Sequence, residues 1–287
     1  MTRFLVLGAT GMAGHTIATY LSEQGNDVTG FCRQPTQLFN KSIQGDALDL
    51  AGLERILREG QYDVVVNCIG ILNCDAENHK ARAVYLNSYL PHALATMTKD
   101  MPTRIFHMST DCVFAGNTGP YSENSRPDGL SFYDRSKALG EVSDEKNLTF
   151  RNSIVGPDLD PRGIGLLNWF MSQTGSVNGF ERVMWTGLTT LELAKAMNAA
   201  SESGATGLVN MVPNDAVSKY ELLCLFNAHL RDSKVEVVPV CEPTIDKSLI
   251  RTNFCCPFQP AAYEQQVSEM ADWIREHSNL YPHYGLE

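Results

Sequence analysis

Short apolar runs alternate along the first half of the chain with segments whose apolar residues recur at helical spacing. The first run, residues 4–7, leads directly into Gly8 and is typical of a strand buried on both faces. Helical spacing then follows in Ala13, Ile17 and Leu21. Further strands are predicted over residues 28–33, 42–44, 63–70, 104–110 and 148–155, and further helices over 53–57, 80–97 and 131–141. This alternation predicts the α/β class, with a doubly wound parallel sheet.

Three glycines, Gly8, Gly11 and Gly14, connect the first predicted strand to the first predicted helix. Gly8 allows a tight turn, Gly11 lets the backbone approach a pyrophosphate, and Gly14 lets the helix lie close to the sheet. Such a turn directs backbone N–H groups and a helix N-terminus at its ligand, which suits phosphate. Ordinary turns also collect glycine, but this position between strand and helix favours dinucleotide binding and a Rossmann-type sheet.

The alternation becomes less regular after Gly156 and Pro157. Helices are predicted over residues 166–171, 190–199, 220–230 and 262–277, and strands over 183–185, 209–212 and 235–240. We therefore expect a dinucleotide-binding domain over residues 1–156. Residues 157–287 are expected to form mainly a smaller C-terminal substrate lobe, with residues 183–200 returning to pack on the first domain.

Arg33 follows the second predicted strand, where the adenosine ribose lies in a dinucleotide fold. An acidic residue there accepts from the 2′-hydroxyl and selects NAD, whereas an arginine suits a 2′-phosphate. Arg33 therefore favours NADP(H), with NAD(H) as the alternative cofactor and a solvated surface arginine as the competing interpretation. Asp46 and Ala47 follow the third strand and are expected at the edge of the adenine pocket.

Hydroxyl groups of Ser109 and Thr110 stand at the end of another predicted strand. Ligands of doubly wound sheets bind beyond the carboxyl ends of the strands, so both hydroxyls are expected to face the site. Tyr133 and Lys137 follow, four residues apart on one face of a predicted helix. A Tyr-x-x-x-Lys pair alone is common on protein surfaces, but its place after the glycine turn and the Ser-Thr strand end favours a catalytic role.

Composition narrows the classes of partner and compartment. The formal net charge of −10 argues against nucleic acid or an anionic membrane as partner, because both require basic surface. No apolar run approaches transmembrane length and no signal-peptide pattern is present, so we expect a cytoplasmic protein. The eight cysteines contain no CxxC pair and are expected to be reduced thiols, with no metal site.

Together these motifs resemble the extended short-chain dehydrogenase/reductase superfamily, in which Gly-x-x-Gly-x-x-Gly opens the fold and Ser/Thr with Tyr-x-x-x-Lys carries the chemistry. Within it, the chain is most similar to the dTDP-4-dehydrorhamnose reductase family. Ser-Thr-Asp-Cys-Val-Phe at residues 109–114 resembles that family's Ser-Thr-Asp-Tyr-Val-Phe, and Arg-Asn-Ser at 151–153 resembles its Arg-Thr-Ser. Cys112 and Ile154 depart from the family at positions that flank its substrate, so the resemblance does not name the sugar.

The resemblance implies NADP(H)-dependent reduction of a nucleotide-linked 4-keto-6-deoxy sugar, as in polysaccharide biosynthesis, with a homodimer as a candidate assembly. Tyr133 would donate the proton, and Thr110 would orient the carbonyl. Lys137 would bind the nicotinamide ribose and lower the pKa of Tyr133, which is about 10 in a free tyrosine. The cofactor-binding residues implied are Gly8, Thr10, Gly11, Met12, Gly14, Arg33, Asp46, Ala47, Cys68, Ile69, Gly70, Tyr133 and Lys137, and the substrate contacts implied are Thr110, Cys112, Val113, Ile154 and Trp185.

Two other classes of function stay open. An epimerase or dehydratase of the same superfamily would use the same Thr, Tyr and Lys. Dehydratases of that kind usually carry an acidic pair after the threonine, whereas Asp111 is followed here by Cys112. The second alternative is a non-catalytic, NADP-binding regulatory subunit, against which the intact Thr110, Tyr133 and Lys137 argue.

Overall fold

The apolar runs of the first half form strands of one central sheet in the computed structural model, which describes residues 1–286. In chain order, the strands are β1 (Arg3–Leu7), β2 (Asp27–Cys32), β3 (Ser42–Gln44), β4 (Val64–Asn67), β5 (Arg104–Met108), β6 (Leu148–Arg151), β7 (Ser153–Val155), β8 (Ser176–Phe180), β9 (Val183–Trp185), β10 (Gly187–Thr189), β11 (Gly207–Asn210), β12 (Val217–Ser218), β13 (Glu236–Val240) and β14 (Ile245–Asp246). The central sheet is seven-stranded and parallel, in the order β11-β6-β5-β4-β1-β2-β3.

Helices cover both faces of this sheet. They are α1 (Met12–Glu23), α2 (Leu50–Gly60), α3 (Asn73–Asn78), α4 (Lys80–Ala83), α5 (Leu90–Met97), α6 (Phe132–Leu139), α7 (Leu166–Met171), α8 (Thr190–Ser201), α9 (Lys219–Leu230) and α10 (Tyr263–Glu276). Alternate residues of β1 point to opposite faces, so Phe4 and Val6 pack with α1 and α8, whereas Leu5 and Leu7 pack with α2 and α5. The predicted α/β class, with a doubly wound Rossmann-type sheet, is confirmed.

The helix predicted over residues 80–97 contains a π-helical stretch, Val84–Tyr89, between α4 and α5. Pro91 explains the interruption, because it has no N–H to donate to the carbonyl of Asn87 one turn earlier. Gly140 lies against that carbonyl, and a Cβ at Gly140 would overlap its oxygen. The π-helical stretch therefore brings Asn87 close to the end of α6.

The strand predicted over residues 148–155 is two strands that meet at Asn152. β6 stays in the central sheet, whereas β7 leaves it and pairs with β10. The central sheet then continues beyond β6 with β11, whose register pairs Val209 with Phe150. Arg151, Asn152 and Ser153 form a polar break between β6 and β7, but the sequence pattern does not show that the two strands belong to different sheets.

A second core lies under the C-terminal half and is formed mainly by α7, α9 and α10. It contains large aromatic side chains, among them Trp185, Trp273 and Tyr281. The Tyr281 hydroxyl lies 2.8 Å from Nε2 of His15 on α1, and Nε1 of Trp273 donates to the same hydroxyl. The Tyr281 hydroxyl thereby joins the C-terminal half to α1. None of the helices within residues 1–286 is long and apolar enough to cross a membrane.

Candidate active site

The turn after β1 is shaped by its glycines. Gly8 has a φ of +78°, and the N–H groups of Gly8 and Ala9 both donate to the carbonyl of Phe31, at 3.0 and 3.2 Å. A Cβ at Gly14 would overlap the carbonyl oxygen of Gly8, so only glycine lets α1 lie this close to the turn. The first turn of α1 carries no acidic residue. These features fit a pyrophosphate held at the helix N-terminus.

A cavity of about 300 Å³ lies over this turn. Nine of the predicted cofactor-binding residues line it: Gly8, Thr10, Gly11, Arg33, Asp46, Ala47, Cys68, Ile69 and Gly70. Two others lie elsewhere, because Gly14 packs beneath the turn and the sulfur of Met12 faces Gly165. The lining also includes residues that the sequence analysis missed: Phe31, Cys32, Ile71, Arg82 and Leu86.

Buried amide groups fix the loops around the cavity. The Asn67 side chain at the end of β4 accepts from the N–H of Ile69 at 3.1 Å. Asn87 accepts from the N–H of Ile71 at 2.9 Å and donates to the Ile71 carbonyl and to Ser136 Oγ, both at 3.0 Å. The π-helical stretch therefore joins the loop after β4 to α6, the helix that carries Tyr133 and Lys137.

Thr110, Tyr133 and Lys137 come together where β5 ends. Thr110 caps a 3₁₀ turn, Asp111–Val113, by accepting from the N–H of Cys112 at 3.1 Å, and its hydroxyl donates to Oδ1 of Asp111. Tyr133 and Lys137 lie on the inner face of α6 and are 8% and 6% exposed. The charge of Lys137 acts on the Cys68 thiol, which lines the cavity, so Lys137 lies near it. The predicted cofactor-binding residues Tyr133 and Lys137 are not themselves part of the lining.

The pKa of Tyr133 is shifted upward in this structure, whereas the sequence analysis expected Lys137 to bring it down. Burial raises the pKa of Tyr133, and the neighbouring Cys112, Asp111 and Asp134 raise it further, whereas the Thr110 hydroxyl opposes the shift. The ammonium of Lys137 instead donates to the carbonyl of Met108 at 2.6 Å. Burial lowers the pKa of Lys137 to about 8, and the nearby Glu141 opposes that shift.

Ser109 is turned away from Thr110 and takes part in a buried ion pair. Its hydroxyl donates to Oε1 of Glu141 at 2.6 Å, and Arg151 donates to both oxygens of Glu141, at 2.7 and 2.6 Å. The side chains of Arg151 and Glu141 are 3% and 9% exposed. The expectation that both hydroxyls face the site therefore holds for Thr110 alone, since Ser109 fixes the end of β5 to α6 and β6.

The predicted substrate contacts differ in where their side chains lie. Cys112 is half-buried beside Thr110, and burial raises the pKa of its thiol to about 12. Ile154 is half-buried against the central core. Val113 and Trp185 do not reach an open surface: Val113 is fully buried in a small core, and Trp185 is 2% exposed in the second core.

Lys219, the first residue of α9, is a charged neighbour of the site that the sequence analysis missed. Its ammonium lies 4.9 Å from the centre of the Trp185 ring. Burial lowers the pKa of Lys219 to about 8, opposed by Asp111 and Cys112. Burial raises the pKa of Asp111, which Lys219 opposes. The sequence marks only a helix start here, through the capping box of Ser218 and Glu221.

Comparison with solved structures shows the fold. The crystal structure of dTDP-4-dehydrorhamnose reductase from Bacillus anthracis in complex with NADP matches with a TM-score of 0.77 and 17% identity. The match covers 94% of this chain and 98% of that one. It extends over the C-terminal half as well as the central sheet.

Comparison with curated proteins finds reductases. The probable low-salt glycan biosynthesis reductase Agl14 of Haloferax volcanii is 34% identical over 139 residues, which is 47% of this chain and 46% of the relative. The chain thus spans about half the length of that relative. A dTDP-4-dehydrorhamnose reductase of Mycobacterium tuberculosis is 28% identical over 232 residues, 75% of this chain and 71% of the relative. Residues 2–155, more than half of the chain, match the RmlD substrate binding domain. This confirms the resemblance: the chain belongs to the RmlD substrate binding domain family.

Proposed function

We propose that this protein is an NADPH-dependent oxidoreductase that reduces the ketone of a nucleotide-linked 4-keto-6-deoxy sugar, in the manner of dTDP-4-dehydrorhamnose reductases. The observation that carries the proposal is the meeting of Thr110, Tyr133 and Lys137 where β5 ends, with Lys137 near Cys68 of the cavity over the glycine turn. Reductases among the relatives of the chain and the NADP of the matching crystal structure support the same activity. Residues 1–156 would hold the cofactor, and residues 157–287 would supply most of the substrate contacts.

Reduction of a ketone needs a hydride at the carbonyl carbon and a proton at its oxygen. When bound, the reduced nicotinamide supplies the hydride. Tyr133 supplies the proton, and its raised pKa keeps the phenol protonated throughout the neutral range. Thr110 would hold the carbonyl oxygen close to that phenol by donating its O–H to it in place of Asp111, while the N–H of Cys112 still fixes the hydroxyl oxygen.

Lys137 serves as the cation of the site. Below its pKa of about 8 the ammonium is charged, so it stabilises negative charge that develops on Tyr133 during proton donation. It would also donate to the ribose next to the nicotinamide, since its charge acts on Cys68 in the lining of the cavity. The Glu141–Arg151 pair keeps α6 fixed against β5 and holds an acidic group near the ammonium.

The alternative functions are disfavoured by a particular side chain. A dehydratase would need a second acid or base after Asp111, but burial keeps the Cys112 thiol protonated at neutral pH, with a pKa of about 12. The intact Thr110, Tyr133 and Lys137 argue against a purely regulatory subunit. The eight cysteines are free thiols within residues 1–286, which suits the cytoplasm as the compartment.

The test measures NADPH oxidation with a panel of nucleotide 4-keto-6-deoxy sugars that vary in base and in sugar configuration. We expect one sugar to be reduced, with one NADPH oxidised for each alcohol formed. Interconversion of two configurations of a nucleotide sugar, without net loss of NADPH, would identify an epimerase instead. Tight NADPH binding without turnover on any of the sugars would support the regulatory alternative.

A further inference from the structure

Arg82 faces the cofactor cavity from the helix that follows β4. It stands one helical turn before Leu86, and both side chains line the cavity. Arg33 lines the same cavity from the end of β2, on the other side of the glycine turn. Both arginines are exposed, and within residues 1–286 neither guanidinium has a hydrogen-bond or ion-pair partner. Two guanidinium groups thus face one cavity from opposite sides of β1, Arg33 after β2 and Arg82 on α4.

The charged residues that line the cavity show why Arg82 matters for the binding of an anionic ligand. Among the described residues that line it, Asp46 is the one acidic group, and its carboxylate also accepts from the N–H of Leu48 at 3.0 Å. Arg33 and Asp46 cancel, so without Arg82 this cavity would be neutral in a chain whose net charge is −10. With Arg82 the lining carries one net positive charge. An anionic ligand therefore depends on Arg82 for a favourable local charge.

The two kinds of phosphate in NADP(H) make different demands. The pyrophosphate is served by the N–H groups of the glycine turn and by the N-terminus of α1. The 2′-phosphate is not bound by a helix N-terminus, and it carries a charge of about −2 at neutral pH. It would also lie on the side of the cavity that holds Asp46. With Asp46 beside it, Arg33 alone leaves no net positive charge for that phosphate, whereas Arg33 and Arg82 together do.

We propose that Arg82 and Arg33 together form the site for the 2′-phosphate, and that Arg82 is a determinant of the preference for NADPH over NADH. This inference rests on the cofactor part of the proposed function and is independent of the sugar. Arg82 would donate to the phosphate from the α4 side while Arg33 donates from the β2 side. Arginine suits both positions because its planar group donates two parallel hydrogen bonds to a phosphate.

The experiment measures the binding of NADPH and NADH to the full chain by isothermal titration calorimetry. We expect Arg82→Ala to weaken NADPH binding roughly tenfold, because a charge-assisted hydrogen bond at an exposed position is lost. NADH binding should change by less than about twofold. Arg33→Ala should behave in the same way, and Arg82→Lys should retain part of the affinity. Arg55→Ala removes a charge from an exposed arginine of α2 that does not line the cavity, and serves as the control.

Two smaller probes identify the group that Arg82 binds. Adenosine 2′,5′-bisphosphate should lose affinity in Arg82→Ala, whereas adenosine 5′-monophosphate should not. An equal loss for NADPH and NADH would place Arg82 at the pyrophosphate and overturn the proposal, as would no loss for either. Because these are binding measurements, they stand even if no keto sugar is reduced. Conversely, a wild-type reductase with an unchanged cofactor preference in Arg82→Ala would refute only the role of Arg82.

Discussion

Replacing Tyr133 with phenylalanine distinguishes a role of its hydroxyl in catalysis from a role of the side chain in stability. The variant keeps the ring, which packs with Leu86 and Leu90 in the core on the α2 side of the sheet, and removes only the hydroxyl. The hydroxyl interacts with Thr110, whose own bonds to Asp111 and the N–H of Cys112 remain. One lost interaction of this kind costs about 1 kcal/mol of unfolding free energy.

The expected loss of catalysis is larger than that cost. Positioned acid catalysis contributes roughly 10²- to 10⁴-fold in rate, which corresponds to about 3–5 kcal/mol of activation free energy. We therefore expect turnover of the keto sugar in Tyr133→Phe to fall by that factor, with NADPH affinity nearly unchanged. Single-turnover NADPH oxidation measures the chemical step, and cofactor titration and thermal unfolding of the same samples measure the other two quantities.

Tyr62→Phe is the matched control, since Tyr62 belongs to the same core, is 7% exposed, and its hydroxyl interacts with Thr29 rather than with site residues. It should lose similar stability and no activity. Turnover in Tyr133→Phe within a few fold of wild type would refute the assignment of the proton donor. An equal loss of turnover in Tyr62→Phe would show that the effect is structural.

Three further changes test the site and its support. The value of kcat/KM for the sugar should fall about tenfold per pH unit above pH 8, because Lys137 loses its charge there; a profile that stays flat to pH 9.5 would contradict this. Gly14→Ala should destabilise the protein by about 1–3 kcal/mol and weaken NADPH binding, because the new methyl group overlaps the turn, whereas Gly204→Ala, with open space around it, should do neither. Glu141→Gln should lower the free energy of unfolding by about 3–5 kcal/mol in a denaturant titration, because it leaves its buried arginine partner unpaired, and a loss below 1 kcal/mol would exclude that role.

The sequence predicted the first five strands of the central sheet well, because all but the short β3 contain apolar runs bounded by polar turns. It failed to predict which strands pair. Residues 148–155 are predicted as one strand, but the polar residues 151–153 interrupt the run, the chain leaves the sheet there, and the next sheet neighbour, β11, comes from residue 207 onward. Hydrogen-bond pairing between strands so distant in sequence leaves no local signal. The π-helical stretch before Pro91 is recognisable only in hindsight, from the proline.

The residues of the candidate site could likewise be predicted from the sequence only in part. Motif residues such as Gly8, Thr110 and Tyr133 could be named because each belongs to a local pattern. Arg82 and Lys219 could not be named from the sequence. Each lies on a helix whose position next to the site is set by the tertiary fold and not by a local motif. The expected effect of Lys137 on Tyr133 assumed that closeness in a helix decides a pKa. In the structure, burial and the neighbouring acidic groups decide it instead, since the ammonium is bound to the carbonyl of Met108.

The place of β11 at the edge of the central sheet has a consequence for synthesis on the ribosome. Until residue 210 has emerged, β6 is an open edge with unpaired backbone groups, a state in which strands associate with other chains. The apolar face around Phe4 and Val6 also waits for α8, which supplies Leu193 and Met197 to the same core. The nascent N-terminal half therefore stays prone to association for the time needed to translate about sixty further residues after β6, at about 5–20 residues per second. A chaperone that binds exposed apolar strands would act on this protein during that interval of translation.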